Sequence, residues 1–203
     1  RHYAEKFGVP QTDSLRAMVE LALKQLGEGV VREGGEREIP LHIWHTPSFQ
    51  QWYTAQRRAG NRLDGGRVVW TFHVGPKRNF IFFWALHANI YITSEHRHKT
   101  NEVVIARPDI ATVLMYYHRD SIDETEIVLI REFRSPSATE DGFIHELPGG
   151  SSFKPNVEPS VLAAVECKQE TGLEIEPTRI VYHGSRQLVG TVSAHRAHLF
   201  SVE

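Results

Sequence analysis

Glu166 and Glu170 lie four residues apart in a stretch that reads as a helix ending at Gly172. Side chains at that spacing share one helix face, so the two carboxylates project side by side. Ahead of them stands Pro148-Gly149-Gly150, a turn sequence. A Gly-rich turn facing a carboxylate pair can hold a divalent cation and a phosphate together. Hard cations such as Mg²⁺ prefer carboxylate oxygen and keep room for substrate phosphate. The same pair also suits a plain solvated helix face, because charges at this spacing are common on exposed helices.

The whole segment ELPGGSSFKPNVEPSVLAAVECKQETGL (146–173) resembles the Nudix box of pyrophosphohydrolases. Gly172 and Leu173 match the end of that pattern, Glu170 matches its last Glu, and Glu166 matches the Glu that follows Arg. Val165 stands in place of the Arg, Gln169 in place of one Glu, and Cys167 fills an apolar slot. Gly150 is one residue further from Glu166 than the pattern has it, which implies a longer loop. The isolated Glu of the pattern then falls at Val157, beside Glu158. The resemblance implies an α+β Nudix fold, a mixed sheet sandwiched between helices. It also implies metal-dependent hydrolysis of the pyrophosphate bond of a nucleoside diphosphate linked to a sugar or similar group. Mg²⁺ or Mn²⁺ would sit on Glu166, Glu170 and the Gly150 carbonyl. The departures at Val165 and Gln169 leave a second expectation open: a non-catalytic module that binds a nucleotide or a protein.

Sequence on both sides of the box supports the likeness. Residues 103–117 and 125–136 read as two strands, rich in β-branched and aromatic residues, with a polar turn at 120–124 between them. The second ends in Arg131-Glu132-Phe133-Arg134 and leads through a loop to Glu146-Leu147-Pro148-Gly149-Gly150. Both motifs are similar to those of the ADP-ribose pyrophosphatase branch of the Nudix family. Arginine suits a diphosphate because its planar fork binds oxygens bidentately. Arg131 or Arg134 is therefore the expected substrate cation, with Glu146 orienting the turn or the substrate. Downstream, residues 178–203 read as strand, long loop, strand. Relatives in this branch carry a Glu in that loop as general base, but here the loop has no Asp or Glu. His195 takes its place as the candidate, because neutral imidazole can accept a proton near pH 7.

Several elements must position these groups. Residues 12–27 read as an amphipathic helix and 47–60 as a second one. Residues 28–39, charged and Gly-rich, read as a mobile connector. Strands are expected at 67–74, 79–86 and 89–93, the first two joined across Gly75-Pro76-Lys77-Arg78. Residues 1–65 form a helical extension and 66–203 the Nudix domain. The extension carries no motif tied to chemistry. Trp44, Trp52 and Tyr53 suit a core or interface better than a nucleotide base. A chain that starts at Arg1 and stops just past a strand suggests a piece of a longer nucleotide-processing protein.

Alternation places Phe80, Phe82 and Trp84 on one face of their strand and Ile81 and Phe83 on the other. Both faces are apolar, which suits a strand buried in a homodimer, as in the relatives this chain resembles, or a strand central to the chain's own sheet and covered on both sides. The net charge of −2 gives no electrostatic footprint for nucleic acid. No stretch is long and apolar enough for a membrane span. A single cysteine, Cys167, fits a reducing compartment, so a cytoplasmic location is expected.

Overall fold

The computed structural model describes residues 31–78, 80–154 and 157–203. The helix expected at 12–27 lies outside these residues. The architecture is α+β: a three-stranded antiparallel sheet, a five-stranded mixed sheet and a short two-stranded pair, with helices packed on the two larger sheets.

The described chain opens on a 3₁₀ turn at Gly34–Glu38. This corrects the reading of a mobile connector over 31–39. Gly35 lies against the backbone of Asp64 and Gly65, so closely that no Cβ would fit. The buried Arg32 guanidinium donates to the carbonyl oxygens of Glu36 (3.0 Å) and Ile39 (2.5 Å). Helices α1 (Leu41–Trp44) and α2 (Pro47–Arg58) follow. Pro47 starts α2, and the Thr46 hydroxyl accepts from the Phe49 amide at 3.2 Å, satisfying one of the free amides of the first turn.

Strands β1 (Arg62–Val74), β2 (Phe80–Ile92) and β3 (Arg97–Ala106) form the antiparallel sheet in that order. The separate strands expected at 79–86 and 89–93 are one strand, continuous through His87 and Ala88. Trp44, Phe49, Trp52 and Tyr53 from the helices pack with Leu63, Trp84, Leu86, Ala88 and Ile90 from the sheet in one buried cluster. The Trp84 indole N–H donates to the Ser48 hydroxyl at 2.8 Å.

A bulge changes which aromatics enter this core. Phe72 pairs with Phe83, but the next residue, His73, pairs with Ile81, leaving Phe82 as the extra residue on β2. Ile81 therefore joins Trp84 on the covered side. Phe80 and Phe82 instead meet Phe153, with ring centroids 6.1 and 5.3 Å away. The simple alternation of Phe80, Phe82 and Trp84 on one face is thus overturned at the bulge.

Residues 103–117 are two strands rather than one. Arg107-Pro108-Asp109 ends β3 and precedes β4 (Ile110–Tyr117), as expected where proline cannot donate to a ladder. Likewise 125–136 divides into β5 (Glu126–Ile127) and β6 (Ile130–Phe133). β6 pairs with β7 (Phe143–Glu146), and β8 (Gly149–Gly150) adds to β4. Then come α3 (Pro159–Thr171), β9 (Val181–Gln187) and β10 (Arg196–Val202). β10 lies parallel to β4 and antiparallel to β9. A second buried cluster joins Ala111, Val113 and Met115 of β4 to Ala163, Ala164 and Cys167 of α3 and Phe200 and Val202 of β10. Among the described residues no helix is long and apolar enough to cross a membrane.

Candidate active site

Helix α3 carries the carboxylate pair and ends at Gly172, as its sequence predicts. Pro159 sits in the first turn, and Gly172 closes the helix in the left-handed region (φ 78°), where glycine is unstrained. The buried side of α3 is built from Ala163, Ala164 and Cys167. Such small side chains let the helix backbone settle close to β4. Cys167 is fully buried, and burial pushes its thiol up to about 11, so it packs rather than reacts.

That close approach sets Glu166 and Glu170 against β8. A Cβ on Gly150 would fall 2.6 Å from the Glu166 carboxyl carbon, so glycine leaves the space that the carboxylate fills. The Glu170 carboxylate accepts from the Gly149 amide at 2.9 Å. Burial and then the Glu170 charge raise the Glu166 carboxyl above its ordinary value. Burial likewise raises Glu170. The Gly149 amide opposes that shift, and Glu132 and Glu146 add repulsion. The result is a cluster of acids short of compensating positive charge.

Arg134 is the cation nearest to balancing it. Its guanidinium donates through Nε to Glu146 at 2.9 Å and pairs with Glu132 at 2.8 Å, and its charge is felt by Glu170. Arg131 goes elsewhere: it pairs with Asp141 and lies over the Phe143 ring, 4.1 Å from its centroid. So the structure brings Arg134, Glu146, Gly150, Glu166 and Glu170 together and directs Arg131 away.

His195 belongs to the loop after β9, and that loop is tied down. Its Val192 carbonyl and Ala194 amide bond the amide and carbonyl of Ile105 on β3, each at 2.8 Å. Gln187 donates to the Ser193 carbonyl at 2.6 Å. The His195 Nδ1 and the Ser193 hydroxyl share a hydrogen bond. Burial and then the charge of Arg107 lower its pKa below the ordinary histidine value, which keeps the ring neutral near pH 7.

Arg107 is the residue that the sequence reading passed over. It sits just past β3, half-buried, and donates through Nη2 to Ser151 at 2.8 Å, one residue beyond Gly150. Its guanidinium lies over Phe82, 4.7 Å from the ring centroid. Its Nε is sealed from solvent with no hydrogen-bond partner. Burial and the nearby Arg134 charge lower its pKa. The one signal for it in the sequence was Pro108, which breaks the apparent long strand at this point.

Among the described residues no set of three or more His, Cys, Asp or Glu side chains converges as a self-sufficient metal site. Glu166 and Glu170, set against β8, nevertheless fit the habit of Mg²⁺. That ion often takes only one or two protein carboxylates and leaves the rest of its octahedron to water and substrate phosphate. Both acids are raised first by burial and then by neighbouring carboxylates, and a cation there would offset that repulsion. Comparison with protein-family models gives no match for this chain, and comparison with curated proteins gives none either.

Proposed function

We propose that this chain folds as a Nudix domain, with its mixed sheet between helices, and hydrolyses the pyrophosphate bond of a nucleoside diphosphate derivative. One observation carries the reading. Glu166 fills the space above Gly150 while Glu170 grips the Gly149 amide, so a paired carboxylate faces a Gly-Gly turn. Mg²⁺ or Mn²⁺ bound there would polarise a phosphoryl oxygen and neutralise developing charge.

The chain's own residues supply the remainder. Glu166 and Glu170 would hold that cation beside the Gly149-Gly150 turn, where it would bring charge stabilisation to the phosphate-bearing end of the substrate. Arg134, held in place by Glu146 and Glu132, offsets charge on the diphosphate. His195, neutral and anchored through Ser193, accepts the proton of the attacking water. Water oxygen bonds to one phosphorus as the bridging P–O bond breaks, giving a nucleoside monophosphate and the phosphorylated second group. Arg131, engaged with Asp141, has a supporting place at most.

The test is a panel of nucleoside diphosphate compounds incubated with Mg²⁺ or Mn²⁺ and scored for monophosphate release. Release by the native chain and its loss in Glu166→Gln bear the reading out; no release from any member sinks it. A second reading rests on Val165, which stands exposed where the resemblance expects an orienting arginine. On that reading the domain binds its nucleotide or a protein partner without turnover, and the same panel shows binding but no product.

The reading includes a cytoplasmic homodimer. Val69, Trp70 and Phe72 on β1 are about half exposed, and Trp70 stacks with Phe72 and meets Phe83 edge-on. An apolar face of this kind on a sheet favours a second copy as its cover. Light scattering at micromolar protein is expected to give twice the single-chain mass of 23.2 kDa; the single-chain mass removes the dimer.

A further inference from the structure

Among the described residues Arg107 is a cation without a carboxylate partner. Arg134 pairs with Glu146 and Glu132, and Arg131 with Asp141, but no acid among the described residues pairs with Arg107. Its contacts are a serine hydroxyl and an aromatic face. It stands close enough to Arg134 for the two like charges to repel, a cost that an anion placed between them would remove. Among the described residues Nη1 makes no hydrogen bond, which leaves the outer side of the fork able to donate.

Beside this cation is an aromatic shelf. Phe82 lies under the guanidinium, Phe153 packs on Phe82 at 5.3 Å, and Phe80 meets Phe153 edge-on. Phe153 is 59% exposed, so among the described residues its outer face is open to a stacking partner. The shelf and the cation come from distant parts of the chain. The bulge in β2 that turns Phe82 out of the core creates the first, and the strand break at Pro108 creates the second.

The geometry points to a nucleotide subsite: Arg107 holds a phosphate of the substrate and Phe153 stacks its base. This rests on the proposed hydrolysis for its place beside Glu166 and Glu170 but not for its binding chemistry. An arginine fork suits phosphate oxygens, and a phenyl face accepts any base. Ser151 orients the fork, and because it follows Gly150 directly it links phosphate position to the carboxylate pair.

Calorimetric titration in EDTA tests the subsite apart from catalysis. The native chain is expected to bind ADP and inorganic pyrophosphate more tightly than adenosine. Arg107→Gln weakens both anions by about tenfold, the scale of one charge-assisted hydrogen bond. Phe153→Ala weakens ADP by about tenfold and leaves pyrophosphate unchanged. Glu166→Gln leaves all three affinities no weaker, because no cation is present. Should Arg107→Gln fail to fold, Arg107→Lys serves: it keeps the charge, loses the fork, and is expected to weaken pyrophosphate by a smaller factor. Equal affinity of native, Arg107→Gln and Phe153→Ala chains for ADP overturns the subsite, as does absence of ADP binding in EDTA. Arg107-dependent ADP binding in a chain that hydrolyses nothing defeats the hydrolase reading alone. Hydrolysis indifferent to Arg107 defeats the subsite alone.

Discussion

The two cores of this molecule are built from opposite materials. The first, between α1–α2 and the β1–β3 sheet, is aromatic: Trp44, Phe49, Trp52, Tyr53 and Trp84 interlock with ring centroids 5.4 to 6.2 Å apart. The second, between α3 and the β4–β10 pair, relies on Ala111, Ala163, Ala164 and Cys167 with a few aliphatic residues. Large rings hold layers apart and give a stiff, dry support. Small residues let layers close, and only a close helix can press a carboxylate onto a glycine. The site therefore belongs to the second core, and the first contributes what rises from its edges: Phe82, Arg107 and the β3 hydrogen bonds that pin the His195 loop.

The sharpest way to break this contrast is to change volume in opposite directions. Trp84→Ala empties the aromatic core and loses the hydrogen bond to Ser48. It is expected to cost about 3–5 kcal/mol in urea melts. Enlarging the second core, by Ala163→Leu, costs about 1–3 kcal/mol through overpacking. It also lifts α3 from β4, so any stabilisation by Mn²⁺ is lost with it. If Ala163→Leu melts like the native chain, the close-packing account of the second core is wrong.

Next in size is the response to metal. A cation bound only by the folded state adds about 2.7 kcal/mol at a hundredfold excess over Kd. Glu170→Gln is expected to abolish the rise in melting temperature with Mn²⁺ while the fold persists. A rise as large as in the native chain removes Glu170 from the ligand set.

The adjacent glycines separate structure from site. Gly149→Ala puts a methyl group onto the backbone of β4, 2.9 Å from the Thr112 Cα, and is expected to destabilise by about 1–3 kcal/mol. In Gly150→Ala the three atoms nearest the new methyl group all belong to the Glu166 carboxylate, the end of a side chain that can swing away. Its melting temperature stays near native while metal-dependent stabilisation falls. Equal melting temperatures for the two variants would contradict the geometry.

The smallest effect is on pH. Glu166 has its pKa raised in the folded state, so folding holds its proton more tightly than the unfolded chain does. Ionisation then works against folding: stability falls as pH rises from the ordinary glutamate value through the raised one. In metal-free buffer Glu166→Gln is expected to flatten this decline and to melt slightly higher than the native chain at neutral pH. A variant that melts lower there refutes the assignment of burial and repulsion as the cause.

The sequence by itself determined the local pieces. Glu166 and Glu170 sit on one helix closed by Gly172, and α2 is headed by Pro47, as the spacing of residue types required. Propensity, capping and four-residue spacing act over one or two turns, and they are legible in any short window. Tertiary structure decided the rest. β4 lies parallel to β10, a pairing of segments far apart in the chain that no local pattern announces. Two local irregularities shaped the site: the bulge at Phe82 reversed the face of a strand, and the break at Arg107-Pro108-Asp109 turned one apparent strand into two. Because side chains alternate every residue along a strand, a shift of one moves a ring from core to cleft. Sequence periodicity cannot locate such a shift; only the pairing of strands does.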